Sequence, residues 1–213
     1  MRRVRESIVK LAGGQTLDTR TRIVAAAADV MRERGLSRAT TKLIARTAGV
    51  SEGTLYNYFE GKEEIFLAVL GEQLPEFIAL IRGFPDRAGK AQVRDHLLEL
   101  AQAALAFYNQ SIPMGASLFS ETELLERHRA MLAQRGAGPH RANQAVAEYF
   151  RREQDLCRVT NRVAPRAPAD MLLGACYQRA YWTQLMGEAP EPEDEVFVQQ
   201  TVDAVLLLLD HKE

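Results

Sequence analysis

The sequence predicts an all-α protein of about nine helices, and three observations support this fold class. Apolar residues recur with helical periodicity along most of the 213-residue chain. No segment shows the sustained apolar–polar alternation that is typical of a half-buried strand. Stretches rich in glycine and proline separate the periodic segments, as expected of loops between helices: "SIP", "RGAGP", "APRAP" and "GEAPEPED".

The composition is that of a globular protein, with 46% hydrophobic and 26% charged residues. The longest apolar runs, such as 204–209, are too short to cross a bilayer, and no signal-peptide segment follows the basic start of the chain. We therefore expect a cytoplasmic protein without a membrane segment. Cys157 and Cys176 lack metal-site spacing, which favours two reduced thiols over a disulfide.

Charge is distributed unevenly, although the formal net charge of the whole chain is only −1. Residues 1–62 contain 12 Lys and Arg against 6 Asp and Glu, whereas residues 63–213 contain 15 against 22. A localised basic region is what binding to nucleic-acid phosphates requires, whatever the overall balance.

The N-terminal part reads as an arm and four helices. Residues 1–17 show little pattern, and Asp18 is a plausible N-cap for a helix that ends near Arg34, with Gly35 as its stop signal. Two short helices are predicted at about 41–47 and 52–58. A longer helix follows at about 62–82, and Pro75 should kink it because the proline ring clashes with the carbonyl of Gly71.

The rest of the chain is a series of long amphipathic segments. Helices are predicted near 88–110, 114–134, 139–157, 168–187 and 193–211. The domain organisation that follows is an arm (1–17), a small three-helix domain (18–62) and a helical bundle (63–213).

The two short helices have the features of a helix-turn-helix. Thr40 or Thr41 can cap the first helix and Ser51 the second, while Gly49 can adopt the positive φ that a tight turn needs. The spacing predicts a buried set of Ile44, Ala45, Val50, Leu55 and Phe59.

The remaining side chains of this motif are polar or aromatic and suit contacts with double-stranded DNA. A recognition helix places its N-terminal residues against base edges, and hydroxyl and ammonium groups bind phosphate oxygens. The alternative is an ordinary polar surface on a three-helix core. The predicted DNA contacts are Thr40, Thr41, Lys42, Ser51, Gly53, Thr54, Tyr56, Asn57, Tyr58 and Lys62.

The string T-x-x-I-A-x-x-A-G-V-S-x-G-T-L-Y-x-Y-F, which begins at Thr41, resembles the DNA-binding segment of the TetR (tetracycline repressor) family of bacterial regulators. The resemblance covers residues 18–70, with Gly61 standing where the family often has serine. It implies a homodimer that binds a palindromic operator, and a C-terminal domain in which a small-molecule effector controls the separation of the two DNA-binding heads.

The last two predicted helices are the candidate dimer surface, because a helix with apolar residues on two faces usually buries both. Burial of these residues within one subunit is the alternative. The candidate interface residues are Leu172, Cys176, Arg179, Thr183, Val202, Val205, Leu206 and Leu209.

Polar and aromatic residues on inward stripes are candidates for an effector pocket: His96, Phe107, Tyr108, Met114, Phe119, His128, Tyr149, Tyr177 and Trp182. The spacing of His96, His128 and Glu121 does not demand a metal, and we expect no cofactor. The chain contains no P-loop, G-x-S-x-G or H-E-x-x-H motif, so we expect no enzyme activity. The sequence therefore predicts a ligand-responsive DNA-binding repressor. The alternative is an all-helical small-molecule-binding protein or enzyme with a vestigial helix-turn-helix.

Overall fold

A computed structural model describes residues 18–188 and 190–210, with the backbone alone at residues 73 and 75. Within these ranges the chain forms ten α-helices and two short 3-10 helices and no strand, which confirms the predicted fold class. The predicted arm, 1–17, lies outside the described residues. The α-helices are α1 Thr19–Arg38, α2 Thr41–Thr47, α3 Glu52–Tyr56, α4 Lys62–Gln73, α5 Pro75–Gly83, α6 Val93–Gly115, α7 Thr122–Gln134, α8 His140–Asp155, α9 Arg166–Met186 and α10 Asp194–Leu209. The 3-10 helices are Phe84–Arg87 and Ala116–Ser120.

The first helix begins where the sequence predicts and is interrupted at the predicted stop, Gly35, but it continues past its predicted end at Arg34. The carboxylate of Asp18 accepts a hydrogen bond from the Thr21 amide at 2.9 Å, as an N-cap does. Gly35 has φ 73°, so regular helix stops there and a further helical turn continues to Arg38. Leu36, within that last turn, is fully buried.

The predicted helix 62–82 is two helices, α4 and α5. Leu74 lies between them with φ −127° and ψ 50°, outside the helical region. A proline has no amide hydrogen and disfavours the helical conformation of the residue before it. The expected kink is therefore a complete break, which raises the number of helices from about nine to ten.

The predicted loop at residues 111–113 is helical, because α6 runs through Pro113 to Gly115. Pro113 cannot donate to the carbonyl of Asn109, four residues earlier. The side-chain amide of Gln184 donates to that carbonyl instead, at 3.3 Å. The lost backbone bond is thus replaced by a residue from α9.

The chain forms two compact units. The N-terminal unit contains the described residues up to Gln73 together with Met114–His128, and the C-terminal unit contains Leu74–Pro113 and the described residues from Arg129 onward. Each has its own core, around Ile23, Ile44 and Ile65 in the N-terminal unit and around Leu97, Tyr149 and Leu172 in the C-terminal unit. The predicted boundary at 62/63 separates a DNA-binding domain from an effector and dimerisation domain, and it stays a prediction. Compactness groups α4 and Met114–His128 with α1–α3.

No helix in the described part of the chain has the length and apolarity of a bilayer span. Both cysteines are free, with Cys157 exposed and Cys176 buried. Burial raises the pKa of the Cys176 thiol to about 12, so this thiol stays protonated.

Candidate nucleic-acid interface

The turn between α2 and α3 is a Schellman motif. Gly49 has φ 66°, its amide donates to the carbonyl of Arg46 at 3.1 Å, and the Val50 amide donates to that of Ala45 at 3.0 Å. Ser51 then starts α3 by accepting a hydrogen bond from the Thr54 amide at 3.0 Å. Thr40 caps α2 in the same way, through the Leu43 amide.

Arg22 of α1 holds this turn from below. Its guanidinium donates to the carbonyl of Ala48 at 2.6 Å and to that of Gly49 at 3.3 Å. These carbonyls lie at the C-terminal end of α2, where a helix lacks intrahelical partners and carries partial negative charge. A Cβ added at Gly49 would lie 3.2 Å from the same guanidinium. The sequence pattern did not single out Arg22, because nothing distinguishes it from the other arginines of α1.

Four of the five positions predicted to be buried in the helix-turn-helix are buried: Ile44, Ala45, Leu55 and Phe59. Val50 is half-buried, and α3 ends at Tyr56 instead of residue 58. Tyr58 and Phe59 nevertheless continue the last turn, because the backbone amides of both residues donate hydrogen bonds to the Leu55 carbonyl.

The predicted DNA contacts lie on the outside of the motif. Tyr56 is 52% exposed and Tyr58 41% exposed, which is high for side chains with so much apolar surface. Seven of the ten residues are exposed, namely Thr40, Lys42, Ser51, Gly53, Tyr56, Asn57 and Tyr58, and three are half-buried, namely Thr41, Thr54 and Lys62.

Hydrogen bonds within the motif restrict several of these side chains. The Thr41 hydroxyl donates to a carboxylate oxygen of Glu52 at 2.7 Å and lies 3.3 Å from the Tyr56 hydroxyl. The hydroxyls of Ser51 and Thr54 share a hydrogen bond at 2.7 Å. The tyrosine hydroxyl is thereby oriented by α2 although it projects from α3.

Lys62 has a partner that the sequence did not predict. Its ammonium donates to the backbone carbonyl of Ser37 at 2.8 Å. An ammonium has three N–H donors, so this bond occupies one of them.

The predicted dimer residues are largely buried within the C-terminal unit itself. Leu172, Cys176, Arg179, Val202, Val205 and Leu209 are buried, and Thr183 and Leu206 are half-buried. These burials leave the set little surface for a partner subunit. The exposed apolar residues of α9 and α10 lie on other faces: Met171, Tyr177, Tyr181, Trp182, Leu185, Met186, Val196, Leu207 and Leu208.

Arg179 shows why this stripe faces inward. Its guanidinium donates to Asp194 at 2.9 Å and lies 5.0 Å from the ring centroid of Phe197. It also donates to the carbonyl of Pro192. A buried charge needs such partners, and here they come from the start of α10 and the loop before it.

The candidate effector residues fall in both units. In the C-terminal unit, Phe107, Tyr108 and Tyr177 form an aromatic cluster with Phe77, which the sequence analysis missed; the centroids of Phe77 and Phe107 are 4.8 Å apart and those of Tyr108 and Tyr177 are 5.4 Å apart. Elsewhere in this unit the buried His96 ring nitrogen and Tyr149 hydroxyl are hydrogen-bonded at 3.0 Å, and Trp182 is exposed. Met114 and His128 are buried in the N-terminal unit, and Phe119 is exposed there.

Burial, the largest cause in each case, lowers the pKa of His96 and of His128. His128 packs against Phe66, with ring centroids 5.7 Å apart, and its Nδ1 atom is buried without a hydrogen-bond partner in the described structure. Among the described residues, no three His, Cys, Asp or Glu side chains are grouped as a metal site.

One segment of the chain matches a known family model. Residues 23–69, which span α1 to α4, match the family model described as "Bacterial regulatory proteins, tetR family". The segment from α1 to α4 is therefore similar to that of TetR-family regulators. The matched segment contains the complete helix-turn-helix and all ten predicted DNA contacts.

Known regulators match the chain over short segments. The chain is 39% identical over 56 residues to the fatty acid metabolism regulator protein of Bacillus subtilis, a match that covers 26% of this chain and 29% of the relative. It is 46% identical over 56 residues to the transcriptional regulator SrpR of Pseudomonas putida, covering 26% of each protein. The chain therefore matches little more than a quarter of the length of these relatives.

The fold likeness extends over nearly the whole chain. The crystal structure of the transcriptional regulator FadR from Bacillus subtilis, in complex with stearoyl-CoA, superposes with a TM-score of 0.63. The match covers 86% of this chain and 96% of that protein at 18% identity. At this identity it shows a shared fold: an N-terminal helix-turn-helix followed by a helical C-terminal region.

Proposed function

We propose that the protein is a homodimeric transcriptional repressor that binds a palindromic DNA operator and is released from it by a small-molecule effector. The observation that carries this proposal is the exposed polar and aromatic face of α2 and α3, held on a Schellman turn and braced by Arg22. Two exposed tyrosines, an asparagine and a lysine at this place do not contribute to a hydrophobic core, but their polar groups can bind bases and phosphates in a DNA groove.

Each group on this face has a matching chemistry on DNA. Gly53 lets the backbone of α3 approach the groove closely, and its position is open, with no neighbour beyond Ser51 within 4 Å of an added Cβ. Thr54 offers a methyl group to thymine, and Asn57 offers an amide that can pair with adenine. Lys42 and the hydroxyls of Tyr56 and Tyr58 suit phosphate oxygens.

A binding titration tests the DNA-binding part of the proposal. The DNA upstream of the protein's own gene should shift in a gel at protein concentrations that leave a scrambled duplex of equal length unbound. The logarithm of the binding constant should fall steeply and linearly with the logarithm of salt concentration, because phosphate contacts release counterions. Equal affinity for the two duplexes, or no dependence on salt, would exclude an operator-binding repressor.

The exposed faces of α9 and α10 support the dimer. On α9, Met171, Gly174, Gln178, Tyr181 and Leu185 recur at helical spacing and all are exposed. A glycine inside a helix costs about 1 kcal/mol relative to alanine, and nothing lies within 4 Å of a Cβ added at Gly174. The absence of a side chain at Gly174 would allow a helix of the partner subunit to approach closely, which would offset this cost.

Helix α10 continues the same argument, with Val196 at 42% exposure and Leu207 at 76% exposure three turns apart. Two such helices from each subunit form a four-helix interface across a two-fold axis. This proposed interface lies on the faces of α9 and α10 opposite to Leu172 and Val205, where the sequence predicts the dimer contacts.

The proposed effector site is the aromatic cluster of Phe77, Phe107, Tyr108 and Tyr177. The cluster is accessible, since Tyr177 is 47% exposed. Asn109 follows Tyr108 in α6, and its side-chain oxygen is buried with no hydrogen-bond partner in the described structure. An apolar wall with an unused polar group is typical of a small-molecule site.

Stearoyl-CoA is the first probe to test, because it occupies the Bacillus subtilis FadR structure of the same fold. Addition of the probe should release the operator from wild-type protein and release less from a Phe107→Ala variant. If the probe has no effect on wild-type protein, the effector belongs to another chemical class.

A further inference from the structure

Ser37, in the last turn of α1, connects three separate segments of the N-terminal unit. Its amide donates to the hydroxyl of Ser117 at 2.8 Å, its hydroxyl donates to the carboxylate of Glu121, and its carbonyl accepts from the ammonium of Lys62 at 2.8 Å. All three polar groups of one residue are thus engaged by side chains distant in sequence.

The contact with Ser117 depends on a close fit. Gly35 takes φ 73°, which few other residues adopt, and a Cβ at this position would lie 3.3 Å from the Ser117 hydroxyl. Ser117 and Glu121 are 80 and 84 residues from Ser37 in sequence. They nevertheless belong to the same compact unit as the helix-turn-helix, through the segment Met114–His128.

The bond to Ser37 has a consequence for Lys62 in the proposed DNA complex. A free lysine side chain samples many rotamers and must lose that freedom when it binds a phosphate. The carbonyl of Ser37 already holds the Lys62 ammonium in one place. Two of its N–H donors remain for a phosphate oxygen, so part of the ordering has occurred before DNA arrives.

We propose that Ser117 and Glu121 are positioning residues for operator binding, which act by fixing Ser37 so that its carbonyl presents Lys62 to a DNA phosphate. This inference rests on the proposed function. It gives the segment Met114–His128 a direct part in DNA affinity although none of its residues lies on the face of α2 and α3.

A double-mutant cycle tests the inference. Ser117→Ala removes the acceptor of the Ser37 amide, and we expect operator affinity to fall about threefold to tenfold, as is typical of coupled contacts. In a Lys62→Ala background the same substitution should change affinity by less than about twofold, because the group it positions is gone. Lys62→Ala alone should reduce the salt slope by about one.

Ser120→Ala is the matched control, since the Ser120 hydroxyl donates to the Ser117 carbonyl within the same 3-10 helix and not to Ser37. It should bind the operator as wild type does. Glu121→Ala, with Glu126→Ala as its control, repeats the cycle if Ser117→Ala lowers the melting temperature.

The outcomes separate the two proposals. Wild-type affinity in Ser117→Ala and Glu121→Ala, or losses that add independently to that of Lys62→Ala, would refute the positioning role while operator binding stands. A wild-type protein that fails to prefer its operator would remove both proposals together.

Discussion

Removal of the Tyr56 hydroxyl is the most direct test of the proposed DNA contacts on α2 and α3, because this side chain is exposed. Tyr56→Phe removes one hydroxyl and keeps the ring, which is 52% exposed. We expect operator affinity to fall about threefold to tenfold, the worth of one hydrogen bond, and the melting temperature to stay unchanged. Fluorescence anisotropy at fixed salt measures the affinity. Wild-type affinity in Tyr56→Phe would contradict the assignment of Tyr56.

Substitution of Arg22 tests whether its hydrogen bonds stabilise the turn between α2 and α3. Arg22→Ala leaves the carbonyls of Ala48 and Gly49 without their charged donor, so the free energy of unfolding should fall by about 1.5–3 kcal/mol. Arg32→Ala is the matched control, because Arg32 pairs with Asp29 on the exposed side of the same helix. Its loss should be at most about 1 kcal/mol. Urea unfolding of both variants gives the comparison, and equal losses would show that Arg22 does not brace the turn.

The helices α9 and α10 carry the dimer prediction. Leu207 is 76% exposed in a single subunit, so Leu207→Glu should leave the fold intact and bury a charge only where a partner covers it. We expect this variant to sediment as a monomer at micromolar concentration, with unchanged helical circular dichroism. Leu156→Glu, also exposed but at the end of α8, should remain a dimer. A dimeric Leu207→Glu would place the interface elsewhere.

The breaks between helices show a difference between local and distant control. Pro75 ended a helix as its chemistry requires, but Pro113 did not, although both lie in helical patterns. The distinction is the side chain of Gln184, which satisfies the carbonyl that Pro113 leaves free. A partner 75 residues away cannot be read from the residues around the proline.

For the whole molecule, we expect the free energy of unfolding to decrease at acid pH. Each unit buries a histidine, His128 in the N-terminal unit and His96 in the C-terminal unit, and the pKa of each is lowered. The unfolded chain binds protons at these histidines at higher pH than the folded protein does, so stability should fall as the pH drops through about 6.5 toward the lowered values. Glu63 partly opposes the shift at His128. Urea midpoints at pH 7.5 and 5.5 measure the effect.

His128→Leu should lose part of this pH dependence, because leucine fits the apolar contact with Phe66 and does not titrate. His140→Ala, at an exposed position, is the control and should follow the wild-type profile. A His128→Leu profile parallel to that of wild type would show that His128 does not contribute.

Most of the DNA face was predictable because its determinants are local. The caps Thr40 and Ser51, the turn at Gly49 and the outward position of Tyr56 depend on residues within about twenty positions of one another. Backbone preferences and helical spacing act over that range, so the sequence contains the information. Their predicted roles on DNA stay predictions until binding is measured.

The structure was needed wherever two arrangements satisfy the same local pattern. Helices α9 and α10 have apolar residues on more than one face. Which face is buried within the C-terminal unit depends on the side chains that pack against it, including the partners of the buried Arg179. The bonds of Ser37 to Lys62 and Ser117, and the grouping of Met114–His128 with the helix-turn-helix, join segments far apart in the chain. Such contacts form only when packing brings those segments together, because periodicity and capping act along a single stretch of chain and carry no information about its distant neighbours.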